Sequence, residues 1–99
     1  MKKRGPAFST GLRFEIVSII YPNPSTDFIS VKFDLPEMGN IKISIYDITG
    51  KLVLSNPDLS LTTGDQNIQI GTSQLSPASY FLRITSNNEV IGIDRFMVN

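Results

Sequence analysis

Hydrophobic and polar positions alternate most clearly over residues 41–54. Ile41, Ile43 and Ile45 are separated by Lys42 and Ser44, the period-2 pattern of a half-buried strand. Asp47-Ile48-Thr49-Gly50 follows as a turn. Asp suits the first turn position because its carboxylate accepts a bond from the turn's own backbone N–H. Gly at the fourth position suits a left-handed residue that bulges into the returning strand. Leu52-Val53-Leu54 begins that strand, so the stretch predicts a β-hairpin.

The same period recurs along the chain. Residues 16–20 are a β-branched run, ended by Tyr21-Pro22-Asn23-Pro24 because proline cannot donate to a ladder. Ile29, Val31, Phe33 and Leu35 alternate over residues 28–35, and residues 36–40 form the turn into the hairpin. Asn56-Pro57 and residues 62–65 bracket a loop. Residues 66–70 alternate again, residues 71–77 are a connection, and Tyr80, Leu82 and Ile84 mark the next strand. After a turn at 86–89, residues 90–98 form the last strand. Its apolar residues change parity, with Ile91, Ile93 and Met97 on one face and Phe96 and Val98 on the other, so a bulge is expected at Gly92 or Asp94.

About seven short strands with turn signals between them, and no helical period, predict an all-β fold. The layout is an antiparallel immunoglobulin-like β-sandwich. The expected core is Ile29, Val31, Phe33, Ile41, Ile43, Ile45, Leu52, Leu54, Ile68, Ile70, Tyr80, Leu82 and Ile84. Residues 1–15 show no periodicity and read as a flexible linker or leader. Residues 16–99 form the single folded domain.

Composition narrows the chemistry. The chain has no cysteine and no histidine, which removes disulfides, thiol nucleophiles, imidazole bases and Cys/His zinc sites. No apolar run approaches the ~20 residues of a transmembrane helix. The net charge of zero hides an asymmetry, because four of the nine basic residues lie within the first thirteen positions. From Glu15 onward five basic residues face nine acidic ones, a balance of −4, which disfavours nucleic acid as a partner. A carboxylate pair is the remaining catalytic option, drawn from Asp47, Asp58, Asp65 and Asp94. Turn and loop roles account for these residues, so no catalytic set is expected. Asp58 and Asp65 with loop carbonyls would be the calcium candidate, without an Asp-x-Asp ladder to support it. No metal or cofactor is expected. Phe28, Phe81 and Phe96 are the candidate lining of a sugar- or partner-binding face, set against a reading as core or edge packing.

Four segments in order carry a resemblance. They are Tyr21-Pro22-Asn23-Pro24, then residues 45–54, then Leu75-Ser76-Pro77-Ala78-Ser79-Tyr80-Phe81-Leu82-Arg83-Ile84, then Arg95-Phe96-Met97-Val98. Together they resemble the C-terminal sorting domain of the type IX (Por) secretion system, type A, over residues 21–99. The resemblance implies a targeting module rather than an enzyme. An N-terminally fused cargo would be recognised by the outer-membrane translocon and cleaved by a sortase-like protease. The cargo would then be released or attached to the cell surface. The motif residues this assigns are Pro22, Asn23, Pro24, Tyr46, Asp47, Gly50, Tyr80, Arg95, Phe96 and Val98, with the terminal strand as the expected recognition surface. Ala78 stands where the family has glycine, and Arg95 where it has lysine. The rival readings are an immunoglobulin-like spacer or adhesion module of a surface protein and a carbohydrate-binding module.

Overall fold

A computed structural model describes residues 16–99. The linker or leader expected over residues 1–15 lies outside the described residues. Eight strands follow one another: β1 (Ser18–Tyr21), β2 (Phe28–Leu35), β3 (Gly39–Asp47), β4 (Leu52–Ser55), β5 (Leu59–Leu61), β6 (Gly64–Gly71), β7 (Ala78–Ser86) and β8 (Glu89–Val98). They form two antiparallel sheets. One has the order β1-β2-β6; the other runs β4-β3-β7-β8, with β5 also paired to β3. No helix among the described residues is long and apolar enough to cross a membrane.

The all-β expectation holds, with one strand more than the seven expected. The additional strand is β5, inside the segment read as a loop. Three residues, Leu59-Ser60-Leu61, are too few to display a period, and their pairing with residues 39–41 is a tertiary event. The first strand is shifted from residues 16–20 to Ser18–Tyr21. Ile16 instead donates its backbone N–H to Ile91 O at 2.9 Å.

One hydrophobic cluster joins the two sheets. The inward faces of β2 and β6 supply Ile29, Val31, Phe33, Leu35 and Ile70, and those of β3 and β7 supply Ile41, Ile43, Ile45, Tyr80, Leu82 and Ile84. Each buried aliphatic side chain contributes about 1.5–3 kcal/mol. Ile20, Ile91, Phe96 and Val98 also belong to this core, although the alternation of neighbouring strands did not place them there. Leu54 and Ile68 pack against it while partly exposed.

Two bulges explain the departures. The β3–β4 register shifts between Ile45 and Tyr46, so that Ile45 opposes Leu54 and Tyr46 opposes Leu52. Val53 becomes the extra residue and packs toward the core, while Leu52 turns outward and is 50 % exposed. Leu52 is therefore not a core residue. In β8 the register shifts where Ile84 opposes Gly92 and Thr85 opposes Val90. Ile91 is the extra residue. The bulge lies at Gly92 as expected, and it lets Ile91 and Phe96 face the same core despite opposite parity. The β7–β8 turn places Asn87 and Asn88 at φ 51° and 72°, the left-handed pair that a two-residue hairpin loop requires.

Two substitutions test this account by urea unfolding. Gly50 has φ +88°, and a Cβ there would meet no atom within 4 Å. Gly50→Val therefore acts through backbone strain alone and is expected to destabilise the fold by about 1–3 kcal/mol. Phe96→Ala empties the core beside Tyr80 and is expected to remove about 3–5 kcal/mol. An unchanged midpoint for Gly50→Val would refute the turn, and one for Phe96→Ala would refute the burial of that ring.

Candidate functional site

The motif residues gather in two places. The first is the end of the sandwich where the β1–β2 connection meets the last strand. Tyr21–Pro22 and Asn23–Pro24 are cis peptide bonds. After them Ser25 forms a parallel bridge with Val98. Ser25 N donates to Met97 O at 2.9 Å, and Asn99 N donates to Ser25 O at 2.8 Å. Met97 N donates to the Asn23 side-chain Oδ1 at 2.9 Å. Residues 23–25 thus bind the outer edge of β8 with backbone and side chain together. The Ser25 side chain is fully buried and its Oγ lies 3.4 Å from Thr72 Oγ1.

Under this clasp lie the side chains of the terminal motif. Phe96 is 1 % exposed and stacks on Tyr80 with ring centroids 5.9 Å apart at 29°. The Tyr80 hydroxyl donates to Ser76 O at 2.6 Å, which satisfies its polar end. Val98 is buried beside them. Phe96 is thus no lining for a sugar-binding face. Phe28 and Phe81 are half-exposed, but they stand on the outer faces of different sheets, so the three aromatics form no shared platform. Ala78 opens β7 and is not among the residues of positive φ, so alanine fits where glycine was expected. The expected free edge on β8 is also narrower than a whole strand. Ile16 covers it at Ile91, and residues 23–25 cover it at Met97 and Asn99.

The second place is the β3–β4 turn and the sheet face beside it. Gly50 N donates to Asp47 O at 3.0 Å, and Asp47 N donates to Lys51 O at 2.9 Å. One carboxylate oxygen of Asp47, Oδ1, accepts from Thr49 Oγ1 at 2.6 Å, Thr49 N at 2.9 Å and Lys51 N at 3.0 Å. The Thr49 hydroxyl bond, then the Lys51 backbone bond, hold the Asp47 carboxyl below its ordinary value of 3.8. The carboxylate is committed to the turn, which is the role its position predicted.

Tyr46 opposes Phe81 across β3 and β7, and Phe81 opposes Arg95 across β7 and β8. This row lies on the outward face of the larger sheet. Arg83, one pair further along, donates from Nη2 to the Tyr46 hydroxyl, and its guanidinium carbon lies 4.8 Å from the Tyr46 ring centroid. Arg83 Nε is buried without a hydrogen-bond partner among the described residues. Tyr46, Ile48, Phe81, Arg83 and Ile93 line an open depression of about 460 Å³. Arg83, Ile93 and Ser25 were not singled out from the sequence. The signal for the first two was parity: Arg83 and Ile93 share the face opposite Leu82 and Phe96. Ser25 carried no such signal, because its partners Thr72 and Met97 are 47 and 72 residues distant.

No group of three or more His, Cys, Asp or Glu residues is placed to hold a metal ion among the described residues. Asp65 opposes Asp34 in the β2–β6 register, and Asp58 lies in the β4–β5 link, so the calcium candidates are not assembled with each other. Asp94 Oδ2 accepts from Ser18 Oγ at 3.3 Å, between the sheets' edges and apart from Asp47.

Comparison with known proteins gives one finding. The family model described as the secretion system C-terminal sorting domain matches residues 19–99, essentially the whole sandwich. No curated protein matches the chain.

The Asp47 turn makes a pH-dependent prediction. A carboxyl with a folded-state pKa below its unfolded value stabilises the fold fully above the unfolded value. That contribution shrinks as pH falls below 3.8 toward the folded-state value. Asparagine does not titrate. The unfolding midpoint of the native chain is expected to fall more between about pH 5 and pH 3 than that of Asp47→Asn. Parallel profiles would show that the turn does not hold the charged form.

Proposed function

The chain belongs to the secretion system C-terminal sorting domain family, and from that membership we propose that the sandwich is the type IX export signal of a cargo joined to its N-terminal side. The family is one of sorting signals, not of enzymes. In the finer reading the domain is recognised at the outer-membrane translocon. A sortase-like protease then cleaves it from the cargo, which is anchored at the cell surface or released. Residues 1–15 act as the linker to the cargo and residues 16–99 as the signal.

The structural observation that supports this reading is the fixed presentation of the end of β8. Pro22, Asn23 and Pro24 lead into the clasp, Tyr80, Phe96 and Val98 form the packing beneath it, and Arg95 stays exposed on the outer face. A recognition element built this way keeps one shape whatever cargo precedes it, because preorganised surfaces bind without an ordering cost. Tyr46, Asp47 and Gly50 extend the same surface by shaping the neighbouring turn.

The test places the whole chain behind a signal peptide and a periplasmic reporter in a bacterium with a type IX system. The native fusion is expected at the cell surface or in the medium. Arg95→Glu changes an exposed charge and should alter stability by under about 0.5 kcal/mol, yet its fusion is expected to accumulate folded in the periplasm. Retention of the native fusion while resident cargo is exported would end the sorting reading. Equal export of both would remove Arg95 from the signal.

A further inference from the structure

The two outer faces of the sandwich differ in character. On the β1-β2-β6 sheet, Lys32 stands near Asp34 and Asp65, which oppose each other. The larger sheet presents Lys42, Arg83 and Arg95 outward, with Lys51 in the adjoining turn. Residues 16–99 hold five Lys and Arg against eight Asp and Glu. Four of the five cations are therefore concentrated on one side of a molecule that is acidic elsewhere. Asp47 also lines the depression on that side, with its carboxylate engaged by its own turn.

The same face is apolar between its charges. Ile93 is 66 % exposed, and Leu52, Phe81 and Met97 are also exposed there. Leu52 opposes Tyr46 and Tyr46 opposes Phe81, a row across three strands that meets Arg95 on β8, where Ile93 and Met97 flank it on the same face. Exposed apolar surface rimmed by charge marks an interaction site. Aromatic residues and arginine are the types that anchor such sites. The guanidinium of Arg83 is already held against Tyr46, so it loses little freedom on binding.

We propose that this outer face docks an acidic, partly apolar segment of a protein in the secretion machinery. The proposal rests on the sorting reading and specifies the chemistry of its partner. Charge complementarity chooses the occupant: carboxylates pair with Arg83, Arg95 and Lys42, and apolar side chains cover Ile93 and Phe81. A carboxylate that displaces the cover over Arg83 Nε also supplies the partner this N–H lacks. A second copy of the chain would bring the same cations against themselves. Vesicle binding is the other alternative, since an anionic membrane offers charge to the same face.

Export of the whole-chain fusion tests this with Ile93→Glu, Ile93→Lys and Ile19→Glu. Ile19 is 58 % exposed on the opposite face and serves as the control. The Glu and Lys variants at position 93 remove similar apolar contact but differ in charge. Export is expected to be lost with Ile93→Glu, partly kept with Ile93→Lys and unaffected by Ile19→Glu, with thermal unfolding confirming that each is folded. If Ile93→Glu does not fold, Met97→Glu on the same face takes its place. Association of the purified chain with detergent-solubilised translocon is expected to weaken at least about fivefold between 50 and 500 mM NaCl, because salt screens the pairing. Vesicles of phosphatidylglycerol and phosphatidylcholine are expected not to bind.

A native fusion that is not exported would fail the sorting reading itself. With native export intact, four results would each overturn the docking proposal. These are normal export of Ile93→Glu, equal loss with Glu and Lys, salt-independent association, and binding to the vesicles. A dimer in solution that Ile93→Glu dissociates would assign the face to self-association instead.

Discussion

The attachment of residues 23–25 to the end of β8 is the constraint on which the rest depends. Without it β8 would be an edge strand held by β7 and, at Ile91, by Ile16, with its row of backbone donors and acceptors open at Met97 and Asn99. Its hydrogen bonds from Ser25 and to Asn23 and Ser25 close that row at Met97 and Asn99. They also fix the depth of Phe96 and Val98 in the core, and through Phe96 the stacking of Tyr80. Tyr80 in turn ties the β6–β7 connection through Ser76. A short polar segment thereby couples both sheets at one end, a role that hydrophobic burial alone does not perform because it lacks direction.

At the same end of the larger sheet, on the far side of β7, directionality comes from Asp47. A single oxygen that accepts three bonds sets the turn, and the bulge that follows rotates β4 so that Leu52 faces out and Val53 faces in. This small register change supplies part of the exposed apolar surface beside Tyr46. Local backbone geometry thus decides which apolar residues stabilise the fold and which remain available to a partner.

Much of the fold was legible because alternation is a local property. Ile41, Ile43 and Ile45, or Ile29, Val31 and Phe33, declare their inward face without knowledge of any neighbour. The Asp47–Gly50 turn was legible for the same reason, since its chemistry is contained in four residues. Leu52 was misplaced because a bulge breaks the period between Ile45 and its partner strand. Phe96 offered a choice between surface and core that only the bulge at Gly92 resolves. β5 was missed because three residues carry no period. The candidate site was less legible than the fold. Its motif residues were identifiable by resemblance, but the clasp joins Asn23 and Ser25 to residues over seventy positions away, and no local pattern encodes such a contact. The apolar stripe of Ile93 and Met97 was visible as parity, yet its exposure depends on which sheet covers which.

The burial of Phe96 and Val98 has a consequence for biosynthesis. The pairing of Ser25 with Val98 spans most of the chain, and contacts of such separation form late because a long loop must close first. During translation, β1 to β7 therefore emerge before the residues that complete their core. A polypeptide that stops before Phe96 leaves the Tyr80 ring without its stacking partner and the 23–25 segment without its strand. Attainment of the compact state thus waits on the synthesis of Phe96 and Val98, whatever order the earlier strands fold in.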